Sequence, residues 1–330
     1  MYFFLSPKNA FTTILFSTSI AGISSIMKKI FICEFVTGGG YINKKISKKL
    51  YKQANIILKS LLNDFNKISN LKIVYTRDQR FKKIKVKNAK CFFIKKKPLK
   101  KWSKLIKQAD YFFPIAPETN KNLLKLIKLN KFNTKVISNK INAIKKTSSK
   151  YKTYKFFKKN SIPTLKTFKK NEIQLKSTKK WVTKPDDGAG CENNYIFKKN
   201  KKLNNFLKLN KNFITQPFKK GVSYSANVFP LKKKPLILNF NKQKVYFKKK
   251  KIIFKKTKVE KKIPIKNKIK KNINIIYKKL PNLNSFFGVD FLISKKKIFF
   301  IEINPRITTS YNNINKNLRI NIAKKFLKNS

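Results

Sequence analysis

Histidine is absent from the 330 residues, which removes imidazole bases, serine–histidine triads and histidine metal sites at once. The three cysteines, Cys33, Cys91 and Cys191, are odd in number and form no CxxC pair. They offer no disulfide framework and read as thiols of a reducing, cytoplasmic setting. Any metal must then be held by oxygen. Acids are scarce too: 12 Asp plus Glu stand against 82 Lys plus Arg, a net charge of +70. Arginine occupies only positions 77, 80, 306 and 319, so nearly all the positive charge is lysine. Nucleic-acid binders gather charge on one stripe and favour arginine forks, whereas lysine here is scattered through every segment after residue 27. With abundant Asn, Ile and Phe, the skew reads as the product of an AT-biased coding sequence. No specific nucleic-acid partner is expected, although such a surface will pick up RNA at low salt.

Long apolar runs are missing as well. Residues 1–26 carry a single charge, Lys8, and their run from Phe11 to Ile26 is too short and too polar for a bilayer. No membrane association is expected. A charged leader is also lacking, and Met27 is followed at once by Lys28, Lys29 and a strand-like run. Residues 1–26 are therefore read as an N-terminal extension of unsettled status, dispensable rather than a targeting peptide.

What is present suffices for folding: an apolar share of 41% and room for about two domains. A strand at Ile30–Phe35, a glycine turn at Gly38–Gly40, a helix near 46–65 and a strand at Leu71–Tyr75 begin an alternation. It continues through strands at Cys91–Ile94, Tyr111–Ile115 and Val136–Ser138, predicting a parallel α/β layer over 27–145. Lys145–Lys150 reads as a linker, followed by a helix that stops before Ile162-Pro163. Beyond it, residues 146–330 become α+β, with strands at 181–184, 195–197, 213–216, 223–229, 236–240, 286–293 and 298–303. Helices are expected near 203–209, 266–280 and 314–327, and the lysine tracts at 248–271 read as solvated hairpin edges. Oligomeric state is open at this level, a homodimer being one option.

Two of the rare acids fall on neighbouring strands. If Lys295–Lys297 is the loop joining 286–293 to 298–303, Asp290 faces Glu302. Opposed like charges repel unless a cation lies between them. Asn304, two residues after Glu302, emerges on the same face. Two carboxylates and an amide oxygen suit Mg²⁺ or Mn²⁺ holding polyphosphate, and solvated acids among lysines are the plainer alternative. Pro305 ends the strand and Arg306 follows, one arginine of four. A second feature is Lys184 at a strand end before Pro185-Asp186-Asp187-Gly188-Ala189-Gly190, a loop whose backbone NH groups can approach phosphates. A plain DDG hairpin turn reads these residues equally well.

Taken together, Lys150 after Ser148-Ser149, the KPDDGAG loop, QPFKKG at 216–221, GVD at 288–290 and EINPR at 302–306 resemble the ATP-grasp ligases in order and spacing. EFVTGGG at 34–40, PIAPET at 114–119, NKQ at 241–243 and EINPRITTSY at 302–311 are similar to the tyramine–L-glutamate ligase branch. The resemblance implies a Rossmann-like pre-ATP-grasp domain over 27–145. An ATP-grasp fold of two α+β lobes would follow, the lid near 148–215 and the metal-binding lobe near 216–330.

It also implies roles. Lys150 and Lys184 would contact the α and β phosphates, Gly188, Ala189 and Gly190 would close over them, and Gln216, Pro217 and Phe218 would form the hinge that reads adenine. Asp290, Glu302 and Asn304 would hold the metal; Arg306 and Lys242 would stabilise the transferring phosphoryl group. Thr37, Gly38, Gly39 and Glu118, with Glu34, fall where the substrate amine would bind. Two positions depart from the pattern, Ser149 where relatives often have Asp and Lys242 where they tend to have Arg. The implied reaction joins a small-molecule acid and amine through an acyl phosphate made with ATP, in the narrow reading glutamate and tyramine. Rival readings are a ligase with other substrates, a degraded ligase that only binds, and a lysine-rich RNA-binding protein.

Overall fold

The structure, a computed structural model, describes residues 27–173, 178–188, 190–198, 200–314 and 321–329. The N-terminal extension, Ala189 and part of the helix expected over 314–327 lie outside these residues.

The first layer is a five-stranded parallel sheet, β1 (Lys28–Glu34), β2 (Leu71–Asp78), β3 (Ala89–Ile94), β4 (Tyr111–Ile115) and β5 (Lys135–Val136). Its strands are all parallel, as the strand–helix alternation predicts, in the order β3-β2-β1-β4-β5. Helix α1 (Lys48–Phe65) begins where the Ser47 hydroxyl accepts from Leu50 N at 3.2 Å. Its apolar residues Ile57, Leu58, Leu61, Leu62 and Phe65 are buried, the stripe that seats it on β1 and β2. On the other face α2 (Pro98–Lys107) and α3 (Asn122–Ile127) bury Trp102, Ile106, Leu123 and Leu126 against Phe31 and Phe112.

The expected linker is helical instead. α4 (Ile141–Thr147) and α5 (Lys150–Lys159) are separated only by Ser148 and Ser149. Buried Ala143 and Ile144 give α4 apolar anchors in the cores of both halves, which is why the segment is ordered despite its lysines.

The second half forms an eight-stranded antiparallel sheet ordered β13-β12-β9-β10-β11-β7-β6-β8. Its strands are β6 (Trp181–Pro185), β7 (Tyr195–Phe197), β8 (Phe213–Pro217), β9 (Val222–Phe229), β10 (Leu236–Lys248), β11 (Lys251–Val259), β12 (Phe287–Ser294) and β13 (Lys297–Asn304). β6 to β8, with α6 (Asn200–Leu209), enclose a small core around Trp181 and Leu203. α7 (Lys266–Lys279) covers β9, β12 and β13 through Ile269, Ile273 and Ile276. The C-terminal α8 (Ile322–Lys328) returns to the first domain, where Phe326 meets Phe65 and Phe113.

The lysine tract is not all edge. β11 lies inside the sheet, joined to β7 by a single paired position, Lys251 with Tyr195. The β12–β13 hairpin also differs from expectation. Its turn has two residues, Lys295 and Lys296, both at positive φ (46° and 59°), with Ser294 paired to Lys297. That turn alone would slide the partners by one position. A bulge restores the frame: Phe291 pairs with Phe300 while Asp290 pairs with Glu302, leaving Ile301 over.

Candidate active site

The bulge leaves the two acids opposed, and β9 brings Ser225 into line with Asp290 from the other side. Gln243 of β10 donates to Asp290 Oδ1 at 3.1 Å, and Asn304 donates to Asp290 Oδ2 at 3.4 Å. Burial, then the neighbouring Glu302 charge, push the Asp290 carboxyl well above its ordinary range. At Glu302 burial again acts upward, but Lys150 and Lys184 outweigh it and hold the group below its usual value. Lys150 Nζ is 3.3 Å from Glu302 Oε2. Lys184, from β6, is buried, and that burial lowers its pKa against the pull of Glu302.

Lys150, Lys184 and the Gly188 carbonyl thus gather around Glu302 from α5, β6 and the loop that follows it. Lys150 opens α5, whose N-terminus is held by Asp186: Ser149 Oγ donates to one carboxylate oxygen at 2.7 Å and Tyr151 N to the other at 2.8 Å. The Ser149 departure is accommodated by the loop's own acid, which also suits the helix N-terminus. Lys150 Nζ donates to the Gly188 carbonyl, and Gly190 lines the central cavity with Cys191 and Glu192. Gln216 stands on β8 beside Val182, its amide turned to Thr167 Oγ1 at 2.7 Å. Pro217 pairs with Trp181, and Phe218 N donates to Lys180 O at 2.8 Å.

Arg306, just past β13, donates through Nη2 to Glu118 Oε2 at 2.8 Å and through Nη1 to Ile307 O at 3.1 Å. Its Nε and Glu118 Oε1 are buried without a hydrogen-bond partner. Glu118 is therefore the arginine's anchor and does not line the cavity, contrary to the amine-site expectation. Thr37, Gly38 and Gly39 do not line it either. Thr37 turns back, its N and Oγ1 both donating to Glu34 Oε2 at 2.6 Å. Gly39 sits at φ 115°, and a Cβ there would lie 2.8 Å from Ile94 Cγ2; one on Gly38 would lie 2.9 Å from Thr76 Oγ1. These glycines serve a tight turn. Lys242 is displaced as well: strand alternation exposes it, and the neighbouring Gln243 reaches the cavity in its place.

The cavity, about 180 Å³, lies between the two halves of the chain and reaches Asp290, Glu302, Asn304 and Arg306 at one side. Gln243, Ser225, Tyr41 and Gln53 were not singled out from sequence; only the NKQ motif gave a signal, and for its lysine. The two carboxylates and one amide form a donor set for a hard divalent cation. Cys33, Cys91 and Cys191 are free thiols, and no described helix is long and apolar enough to cross a membrane.

Residues 147–310 match the ATP-grasp domain family, and residues 71–144 match the pre ATP-grasp 3 domain. A tyramine–L-glutamate ligase of Methanocaldococcus fervens is 29% identical over 290 residues, 85% of this chain and 87% of that protein. Its counterpart in Methanocaldococcus jannaschii is 28% identical over 86% and 84%. An ATP-grasp superfamily protein from Archaeoglobus fulgidus superposes with a TM-score of 0.69 at 19% identity, covering 91% of this chain and 88% of the other. The L-amino acid ligase of Bacillus licheniformis gives 0.64 at 11% identity, with 92% and 73% covered. The chain belongs to the ATP-grasp superfamily, its ATP-grasp domain preceded by a pre-ATP-grasp domain.

Proposed function

We propose that the protein is an ATP-dependent ligase that joins the γ-carboxyl of L-glutamate to tyramine through an acyl phosphate. The observation that carries the reading is the convergence of Lys150, Lys184 and the opposed Asp290–Glu302 pair at the edge of an inter-domain cavity. Two ligases so named are its relatives over most of the chain.

The glutamate carboxylate attacks the γ-phosphorus of ATP, the bond to the bridging oxygen breaks, and ADP leaves. The amine, unprotonated at attack, forms the C–N bond at the acyl carbon, and phosphate departs. No side-chain nucleophile is needed, so the absence of histidine is no obstacle. Lys150 and Lys184 hold the α and β phosphates, the loop around Gly188–Gly190 lies over them, and Gln216–Phe218 frame the adenine. Asp290, Glu302 and Asn304 are the residues that would hold Mg²⁺ or Mn²⁺; the bound cation would neutralise phosphate charge. Arg306, fixed by Glu118, faces the transferring phosphoryl group. The division near residue 145 separates the pre-ATP-grasp domain from the domain that carries the nucleotide. Free thiols accord with a cytoplasmic enzyme.

The test is a product screen by mass spectrometry with ATP and Mg²⁺ or Mn²⁺ across acid and amine pairs, together with ADP release as each substrate is omitted. Glutamate and tyramine should both be required. Product with another pair and none with these would redirect the assignment within the superfamily. Steeply salt-dependent RNA binding with no amide product under any pairing would reject it.

A further inference from the structure

The cavity between the domains has two unlike sides. Toward β9, β10, β12 and β13 it is polar: Ser225, Gln243, Asp290, Glu302, Asn304 and Arg306. Toward α1 and β11 it is mainly apolar, with Val36, Leu50, Ala54, Ile57, Ile115 and Phe254 interrupted by Gln53 and Thr257. Ala54 and Val36 are buried at 4% and 3% exposure, yet neither belongs to an apolar core cluster among the described residues. Their side chains meet the cavity rather than a core.

We infer that this apolar wall binds the organic part of the amine substrate, an aryl-alkyl group lying along α1, with its nitrogen directed to the polar side; the inference rests on the ligase reading above. Glutamate carries an α-ammonium and two carboxylates on a short chain. Laid against six apolar side chains it would lose hydration with nothing to replace it. The polar side offers Arg306, Gln243 and the Ser225 hydroxyl, which has no partner of its own. An arylethylamine has the opposite needs, since its ring gains by leaving water and only its nitrogen must reach the acyl carbon. Ala54 sets the depth of the wall, and Leu50, half-buried one helical turn earlier, sets its width.

The experiment separates the amine site from the acid site with hydroxylamine, which traps an acyl phosphate and is too small to need a wall. In Ala54→Leu, glutamate- and ATP-dependent hydroxamate formation should stay within twofold of the parent, while KM for tyramine rises at least tenfold. Leu50→Ala should shift preference toward the bulkier tryptamine by at least fivefold relative to tyramine. Hydroxamate formation falling in step with tyramine use in folded Ala54→Leu, or an unchanged amine preference in Leu50→Ala, would overturn the inference. If the parent protein gives no hydroxamate from glutamate, the ligase reading itself is at fault.

Discussion

Replacing Glu118 by glutamine removes one charge and almost no volume from the contact that joins the first domain to Arg306. The two side chains are only 6% and 14% exposed, so water compensates little for the lost charge. Breaking a buried ion pair by deleting one partner costs about 3–5 kcal/mol, and a single charge-assisted hydrogen bond contributes about 1.5–3 kcal/mol. Glutamine keeps an acceptor oxygen at the same place, so the lower range applies. Glu118→Gln should lose about 1.5–3 kcal/mol in urea unfolding and Glu118→Ala about 3–5 kcal/mol. In Glu118→Gln the bond to Arg306 weakens and its aim loosens; in Glu118→Ala Arg306 keeps one hydrogen bond, to Ile307 O, and swings about it. An orientation loss of about 1.4 kcal/mol at the phosphoryl group is roughly tenfold in kcat. KM for ATP should change little, because the nucleotide lysines stand on other elements. The assays are steady-state ADP release and urea melts followed by circular dichroism. A Glu118→Gln protein with kcat within twofold of the parent and an unshifted midpoint would refute the anchor.

Other changes test the rest of the site. Glu302→Gln should abolish turnover and Mn²⁺ binding, read by electron paramagnetic resonance, with the far-ultraviolet spectrum unchanged; retained activity rejects the metal assignment. Lys184→Met should weaken ATP binding about 10- to 100-fold, the worth of one charge-assisted bond. Isothermal titration measures it, and parental affinity would count against a phosphate role. Gly39→Ala combines a positive φ with a close approach to Ile94 and should destabilise by about 2–4 kcal/mol in a urea melt. An unchanged midpoint would show that the turn relaxes.

The parallel layer of the first domain was legible because strands alternate with striped helices; the order of its strands was not, since it depends on which side of β1 each crossover lands. The facing of Asp290 and Glu302 was also legible, though by a route the molecule does not take. A three-residue loop was assumed; a two-residue turn and a bulge at Ile301 together give the same pairing. Nothing local in Phe299–Glu302 announces the bulge. The inner place of β11 was hidden because its lysines at 251, 255, 256 and 258 look like a solvent-facing edge, whether or not another strand pairs beyond it. The placements of Glu118 and Lys242 were not legible for a different reason. Whether a side chain points to a cavity or an ion-pair partner depends on elements 188 residues apart in one case and on strand parity in the other.

Strands β7 and β11 share one rung of the second sheet, Lys251 with Tyr195. Across it run Ile196 N to Lys250 O at 2.7 Å and Ile252 N to Asn194 O at 2.9 Å. At about 1 kcal/mol net for each bond, that rung contributes about 2 kcal/mol. The heavier fastening lies off the sheet, where Phe157 meets Phe300, Thr164 Oγ1 donates to Phe300 O and Lys150 pairs with Glu302, so α5 and the segment after it clamp directly onto β13.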